Sequence, residues 1–318
     1  MVRNSTIDIM KGLAILAVIA GHGHMLLPDC LERKLIYSFH MPLFFIVAGY
    51  LYKPTIHYKT KIIADSRRLL IPYLFIVLGF TTFLLVKESD KAFALKYSFI
   101  ACIFGSSGNH ASLLWAAAPH IGIGWFLPAL FWCRQFFNYI DTQANHATLF
   151  IIFLAFIATI TDYYLVNLPF ALLPGVSAMV FYQIGSWVRN IKTKSLSLFV
   201  GGAICWGLQI NYFGINMSIC YYGFYPIDIL GASFATTIIY YISRWLSNNA
   251  LGNVFRKIGQ MSIYVYCSHA LEAEIKPYTW FQLNMGWLIE FIFRATLCIS
   301  IAYCFIFLKT IFPKPHNT

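Results

Sequence analysis

The chain has 318 residues, of which 59% are hydrophobic and 11% are charged, whereas soluble domains carry about 25% charged residues. This composition excludes an ordinary water-soluble fold. The net charge of +11 does not indicate a nucleic-acid partner, because the basic residues lie in short islands between apolar runs. That layout is typical of a multi-pass membrane protein.

Apolar runs follow one another along the whole chain. In order they cover residues 12–27, 35–52, 69–86, 95–105, 121–139, 148–165, 170–188, 196–213, 227–246, 258–273 and 286–308. The fourth run, as a helix about 16 Å long, is too short to cross a hydrocarbon core of about 30 Å. The other runs therefore predict about ten transmembrane helices.

The distribution of basic residues predicts the orientation. With ten spans and a cytoplasmic amino terminus, sixteen of the 23 Lys and Arg residues fall on the cytoplasmic side and six on the outer side, as the positive-inside rule requires. We therefore predict an all-α polytopic membrane protein with both termini cytoplasmic and a short re-entrant or interfacial segment near 95–105. With no repeat and no long inter-helix segment, residues 1–318 are read as a single transmembrane domain.

Ionisable side chains inside apolar helices are costly, so they are candidates for function. Asp8 and Lys11 lie fourteen and eleven positions before His22 in the first helix. At 100° per residue all three share one face, with Lys11 about 16 Å from His22 along the axis. His24 is rotated by about 200° from His22 and is expected to point elsewhere.

Further ionisable groups are predicted at the same outer level of the membrane as His22. They are His40 at the start of the second helix, and His269 and Glu272 in the tenth. Such a cluster suits a general base, a proton relay in a small-solute transporter, or hydrogen-bonded packing in a non-catalytic scaffold. No metal is expected, because His22 and His24 at i, i+2 diverge on a helix.

A basic segment covers residues 53–68 on the predicted cytoplasmic face. Its Lys61, Arg67 and Arg68 are candidates to bind the phosphates of a donor nucleotide. The positive-inside rule and contact with lipid headgroups explain the same charges without a ligand. Glu290 and Arg294, spaced i, i+4 on the last helix, are interpreted as a structural ion pair.

Several motifs resemble the integral-membrane acyltransferase 3 family, in particular its sugar O-acetyltransferase branch typified by fucose 4-O-acetylases. The resemblance starts with D-I-M-K-G at residues 8–12 and continues to His22. It includes F-H-M-P-L-F-F-I-V-A-G-Y at 39–50 and R-R-L-L-I-P-Y at 67–73, with weaker similarity at 125–127 and 258–269. Lys11 stands where arginine is common in the family, and Ala48 where serine is frequent.

The resemblance implies a bacterial inner-membrane enzyme that uses acetyl-CoA as acyl donor and needs no metal. The expected acceptor is a hydroxyl of a surface polysaccharide or of its lipid-linked precursor, reached from within the membrane lipid. By position it makes His22 the catalytic histidine, with Lys11 and Asp8 as companions. The remaining candidates, expected to bind the acceptor or support the site, are His40, Trp125, His269 and Glu272.

Overall fold

The computed structural model describes residues 4–23, 30–107, 119–189, 196–212, 214–276 and 286–311. These residues are almost entirely helical. The longer helices in chain order are α1 (Ser5–Gly21), α2 (Leu31–Tyr37), α3 (His40–Tyr50), α4 (Tyr58–Asp65), α5 (Ile71–Lys87), α6 (Lys91–Phe104), α7 (Phe126–Gln143), α8 (Ala147–Ile160), α9 (Leu172–Ser177), α10 (Met179–Val188), α11 (Leu196–Tyr212), α12 (Tyr225–Leu246), α13 (Ala250–Gln260), α14 (Ser262–Ile275) and α15 (Trp287–Ile311). A short antiparallel hairpin, β1 (Ile215–Asn216) and β2 (Tyr221–Tyr222), joins α11 to α12.

The helices agree with a membrane protein. Within the described ranges, four stretches are long and apolar enough to cross a membrane: Tyr58–Lys87, Ala147–Tyr164, Tyr225–Leu246 and Trp287–Leu308. A fifth results if Pro169–Ser177 and Met179–Val188, which are bent by 46°, form one span. The count of ten spans and the orientation of the termini stay predictions.

Three of the predicted spans are divided into shorter helices. The run 35–52 breaks at Ser38 and Phe39 into α2 and α3, and the run 170–188 breaks at Ala178 between α9 and α10. The run 258–273 starts in α13 and continues as α14 after Met261. Hydropathy alone does not show these breaks, because the residues at each break are themselves apolar or small.

The short segment near 95–105 belongs to α6, which has 14 residues. The Asp90 side chain begins this helix by accepting a hydrogen bond of 3.0 Å from the backbone N–H of Phe93. Gly105 ends it in a left-handed conformation with φ 60°, which glycine adopts without strain. At about 1.5 Å per residue α6 is too short to cross a bilayer.

The basic segment is more helical than expected. The sequence places this segment, residues 53–68, between two apolar runs, but α4 begins at Tyr58 and continues through a π-helical turn, Ser66–Leu70, into α5. An i, i+4 ion pair between Lys61 and Asp65 at 3.0 Å supports the helix. Arg67 and Arg68 are therefore exposed on a helical turn rather than on a loop.

Two pairs of helices touch backbone to backbone through glycine. A side chain at Gly12 of α1 would clash with the carbonyl of Phe255 in α13, and one at Gly259 of α13 would clash with the carbonyl of Asp8. Gly49 of α3 is equally close to the carbonyl of Tyr182 in α10. Small residues at such contacts are typical of helix packing in membranes, and this packing fixes α1 and α3 relative to their neighbours.

Candidate active site

The first helix ends at His22, not beyond it. α1 stops at Gly21 and His22 is its C-cap, although the apolar run extends to residue 27. The Nδ1–H of His22 donates to the carbonyl of Val18 at 2.8 Å, and this carbonyl also accepts the backbone N–H of His22 at 3.2 Å. Because a carbonyl only accepts, Nδ1 carries a proton, and in the neutral ring Nε2 then keeps its lone pair. His22 is half-buried, so Nε2 is available as a base.

Two further histidines surround His22. The ring centroid of His269 in α14 is 5.6 Å from that of His22, and the ring of His40 in α3 is 6.2 Å away. His40 Nδ1 donates to the carbonyl of Ile36 at 2.8 Å, so its Nε2 is also unprotonated. The predicted convergence of His22, His40 and His269 on one level is present.

Glu272 and Arg294 complete this group, and we call His22, His40, His269, Glu272 and Arg294 the histidine cluster. The Nδ1–H of His269 donates to a carboxylate oxygen of Glu272 at 3.0 Å. Among the described residues, the buried Nε2 of His269 has no hydrogen-bond partner. Arg294 binds both oxygens of Glu272, through Nε at 2.8 Å and Nη2 at 3.1 Å. Through this two-pronged contact Arg294 pairs with the ionised carboxylate of Glu272 and fixes its orientation.

Arg294 also joins α15 to the end of α1. Its Nη1 donates to the backbone carbonyl of His22 at 2.6 Å and lies 3.4 Å from Glu290. A cation at this position satisfies a free carbonyl and suits the negative end of the helix dipole. Arg294 is fully buried. The predicted ion pair with Glu290 is present, but at 3.4 Å it is longer than the contacts of Arg294 with Glu272. Its position within an apolar run was the signal for a larger role.

Asp8 and Lys11 form a pair of their own at the other end of α1. Lys11 Nζ lies 2.7 Å from Asp8, whose second carboxylate oxygen is 3.4 Å from the amide nitrogen of Gln260 at the end of α13. Along the axis of α1, Lys11 lies about 16 Å and Asp8 about 21 Å from His22. Since His22 is a cap rather than a mid-helix residue, the single face proposed for all three residues stays a prediction. His24 lies outside the described residues.

The residues predicted to bind the acyl donor lie near a buried carboxylate, that of Asp65. Asp65 receives Lys61 at 3.0 Å and Arg134 of α7 at 2.8 Å, and the amide of Gln135 at 2.9 Å. Lys61 is therefore engaged within the protein. Arg67 and Arg68 are exposed and stand on a π-helical turn, a feature often found at functional sites.

Trp125 precedes α7 and is buried. Its ring lies 6.3 Å from that of Phe126, which in turn contacts Tyr266 of α14 at 5.5 Å. Sequence reasoning missed Tyr37, which lies 4.9 Å from His40 and 5.9 Å from His22 between ring centroids. Tyr37 belongs to a helix only seven residues long, and its neighbours gave no periodic signal.

Two members of the histidine cluster lie close to Cys298, and together the three could act as metal ligands. His269, Glu272 and Cys298 each present one ligand atom, and these atoms lie within 4.8 Å of one another. The guanidinium of Arg294 already occupies both oxygens of Glu272. A divalent ion would have to displace this cation, so the contacts assign Glu272 to Arg294 and His269.

A comparison with protein families decides the class. The family described as an acyltransferase domain, acyltransferase 3, matches residues 4–310. The chain belongs to this acyltransferase family. Nodulation protein NolL of Sinorhizobium fredii is 33% identical over 142 residues, covering 40% of this chain. The chain spans about a third of that relative, 34% of its length. No solved structure matches the chain.

Membership in the acyltransferase family gives the histidine cluster its chemical context. The match covers nearly every described helix, including α1, α3, α14 and α15, which carry the cluster. These findings show the family and four to five helices that are long and apolar enough to cross a membrane. The fucose 4-O-acetylase branch, the acetyl donor and the carbohydrate acceptor go beyond this finding.

Proposed function

We propose that the chain is a bacterial inner-membrane O-acetyltransferase. It moves an acetyl group from acetyl-CoA to a hydroxyl of a surface polysaccharide or of its lipid-linked sugar precursor. The observation that carries the proposal is the Nδ1–H bond from His22 to Val18, which leaves Nε2 of the neutral ring to accept a proton, in a chain of the acyltransferase family. Acyl transfer to a hydroxyl needs such a base.

His22 acts as the general base in this mechanism. Nε2 takes the proton of the acceptor hydroxyl while the hydroxyl oxygen bonds to the thioester carbonyl carbon. The carbon–sulfur bond then breaks, and the CoA sulfur takes the proton from Nε2, which restores the neutral histidine. The Val18 carbonyl stabilises the transient imidazolium, because it accepts from Nδ1–H at 2.8 Å.

The donor enters from the end of the bundle that carries the basic segment. Arg67 and Arg68 bind its phosphates as exposed forks on one turn, and Lys61 adds positive charge nearby. The pantetheine arm runs along α1 past Asp8 and Lys11 towards His22, a rise of about 16 Å. The acceptor hydroxyl meets the thioester at the His22 end of this path. The side chains that surround this point are His40, His269, Glu272 and Trp125.

The proposal is tested by following the acetyl group. Membranes containing the chain are incubated with radiolabelled acetyl-CoA, and the surface glycan is analysed by mass spectrometry in parent and deletion strains. We expect label in the glycan and loss of an acetyl ester in the deletion strain. Failure of the purified protein to bind acetyl-CoA, together with proton-driven solute uptake into vesicles, would favour the transporter instead.

A further inference from the structure

A cavity of about 220 Å³ lies beside the histidine cluster, between α2, the end of α11 and the hairpin of β1 and β2. Its walls combine cationic, aromatic and amide side chains. Those that carry the argument are Arg33, Lys34, Tyr37, Gln209, Asn216 and Tyr221. The described residues that line this cavity include no carboxylate, so its electrostatic potential favours an anion.

Tyr37 connects the cavity to the proposed base. Its side chain lines the cavity, and its ring lies 5.9 Å from His22 and 4.9 Å from His40. Arg33 stacks over the same ring with its guanidinium carbon 5.1 Å from the centroid. A ligand in the cavity is therefore separated from the histidines by one aromatic side chain.

The far wall of the cavity is held in place by Asp228 of α12. The two carboxylate oxygens of Asp228 accept from the backbone N–H groups of Gly214 at 3.3 Å and Phe224 at 2.9 Å. Gln209 donates to the Asp228 carbonyl at 3.3 Å. Its own Oε1 is buried against Gly231 of α12 and does not open onto the cavity. These contacts fix the hairpin and the end of α11 as one wall of the cavity.

We propose that this cavity binds the acceptor as an anionic sugar, with its phosphate or carboxylate on Arg33 and Lys34. A sugar hydroxyl meets Asn216, and the sugar ring packs on Tyr37, the side chain next to His22. Its volume is below the roughly 300 to 1,000 Å³ of drug-sized ligand pockets, which suits one charged sugar unit. The inference rests on the proposed function and names the class of its acceptor.

Binding without donor tests this proposal, because no transfer then takes place. Calorimetric titration of the detergent-purified protein would compare glucose 1-phosphate, glucuronic acid, glucose and glycerol 3-phosphate. We expect the two anionic sugars to bind more tightly than glucose, and their binding to weaken as salt rises. Arg33→Gln and Lys34→Gln should each weaken anionic-sugar binding about tenfold or more. Lys87→Gln, an exposed cation that does not line the cavity, should leave it unchanged.

Several results would overturn the proposal. Equal binding of glucose and glucose 1-phosphate would remove the role of the two cations, as would unchanged affinity in Arg33→Gln and Lys34→Gln. Equal binding of glycerol 3-phosphate and glucose 1-phosphate would reassign the cavity to a phosphate or lipid headgroup. If an Arg33 variant does not fold, Lys34→Gln and the salt dependence of the wild type decide. Anionic-sugar binding without any acetyl transfer would contradict the proposed function alone.

Discussion

Arg294 holds three helix segments together at the level of the histidines, through Glu272, Glu290 and the carbonyl of His22. Lysine keeps the charge but cannot donate to both Glu272 oxygens and to the carbonyl at once. We expect Arg294→Lys to reduce acetyl transfer about 10- to 100-fold, the loss of one hydrogen bond to a charged group. Donor affinity should be unchanged, because the donor binds at the other end.

The measurement for Arg294→Lys is the rate of transfer at saturating acetyl-CoA, with donor affinity measured separately. Lys91→Arg is the control, since Lys91 is exposed and contacts only the backbone carbonyls of Leu85 and Glu88 among its described hydrogen bonds. Full activity in Arg294→Lys would mean that the charge alone suffices. The two-pronged contact would then have no positioning role.

Arg67 and Arg68 are predicted to bind the donor phosphates. Arg67→Ala or Arg68→Ala should weaken acetyl-CoA binding by about 1.5 to 3 kcal/mol, the range for a hydrogen bond to a charged group. Titration of each purified variant with acetyl-CoA measures the effect, and Lys59→Ala in the same basic segment serves as control. Unchanged affinity in both arginine variants, with intact folding, would reassign them to lipid headgroups.

The sequence predicted correctly which ionisable side chains lie at the same level along their helices. His22, His40, His269 and Glu272 were expected at one level, and the structure brings them together. The partner of Glu272 was missed because an i, i+4 spacing to Glu290 accounts for Arg294 locally. No pattern within α15 shows that its arginine reaches α14 and the end of α1.

At the scale of elements, the apolar runs predicted where helices occur better than where they end. At the end of α1 the His22 ring binds the Val18 carbonyl and Arg294 binds the His22 carbonyl, an arrangement that hydropathy does not encode. The breaks before α3 and between α9 and α10 place apolar residues on both sides. Pro42, in the first turn of α3, is a local signal for the first of these breaks.

The glycine contact between α1 and α13 gives a stability prediction. A leucine at Gly12 would meet the backbone of Phe255, and forced overpacking costs about 1 to 3 kcal/mol. We expect Gly12→Leu to lower the thermal unfolding midpoint in detergent. Gly207→Leu in α11 is the control, because a Cβ at Gly207 would meet no described atom within 4 Å and leucine is the better helix former. Equal midpoints would show that α1 and α13 separate without cost.

At the scale of the whole molecule, three groups of basic residues that the charge bias places on the cytoplasmic side meet at one end of the bundle. They are the basic segment 53–68, Arg134 and the group that begins at Arg189. Lys61 and Arg134 share Asp65, and Arg189 donates to the carbonyl of Tyr52. This grouping agrees with the charge bias but does not say which side is the cytoplasm. The orientation therefore stays a prediction of the positive-inside rule.

Labelling from the two sides of the membrane tests the orientation. All eight cysteines are free, so they are first replaced, and single cysteines are introduced at Lys59 and Lys87. An impermeant reagent added to intact cells should label Lys87→Cys and spare Lys59→Cys, with both labelled in broken cells. The reverse pattern would place the basic segment outside and remove it from the cytoplasmic pool of acetyl-CoA.

The role of His22 as the base is the central claim, and its neighbour His24 provides the comparison. We expect His22→Ala to lose about 10²- to 10⁴-fold in transfer rate, the usual contribution of a general base, while it still inserts and binds acetyl-CoA. His24→Ala should retain substantial activity. The deciding measurement is acetyl transfer to the native glycan by both variants at matched expression. An active His22→Ala beside an inactive His24→Ala would contradict the account.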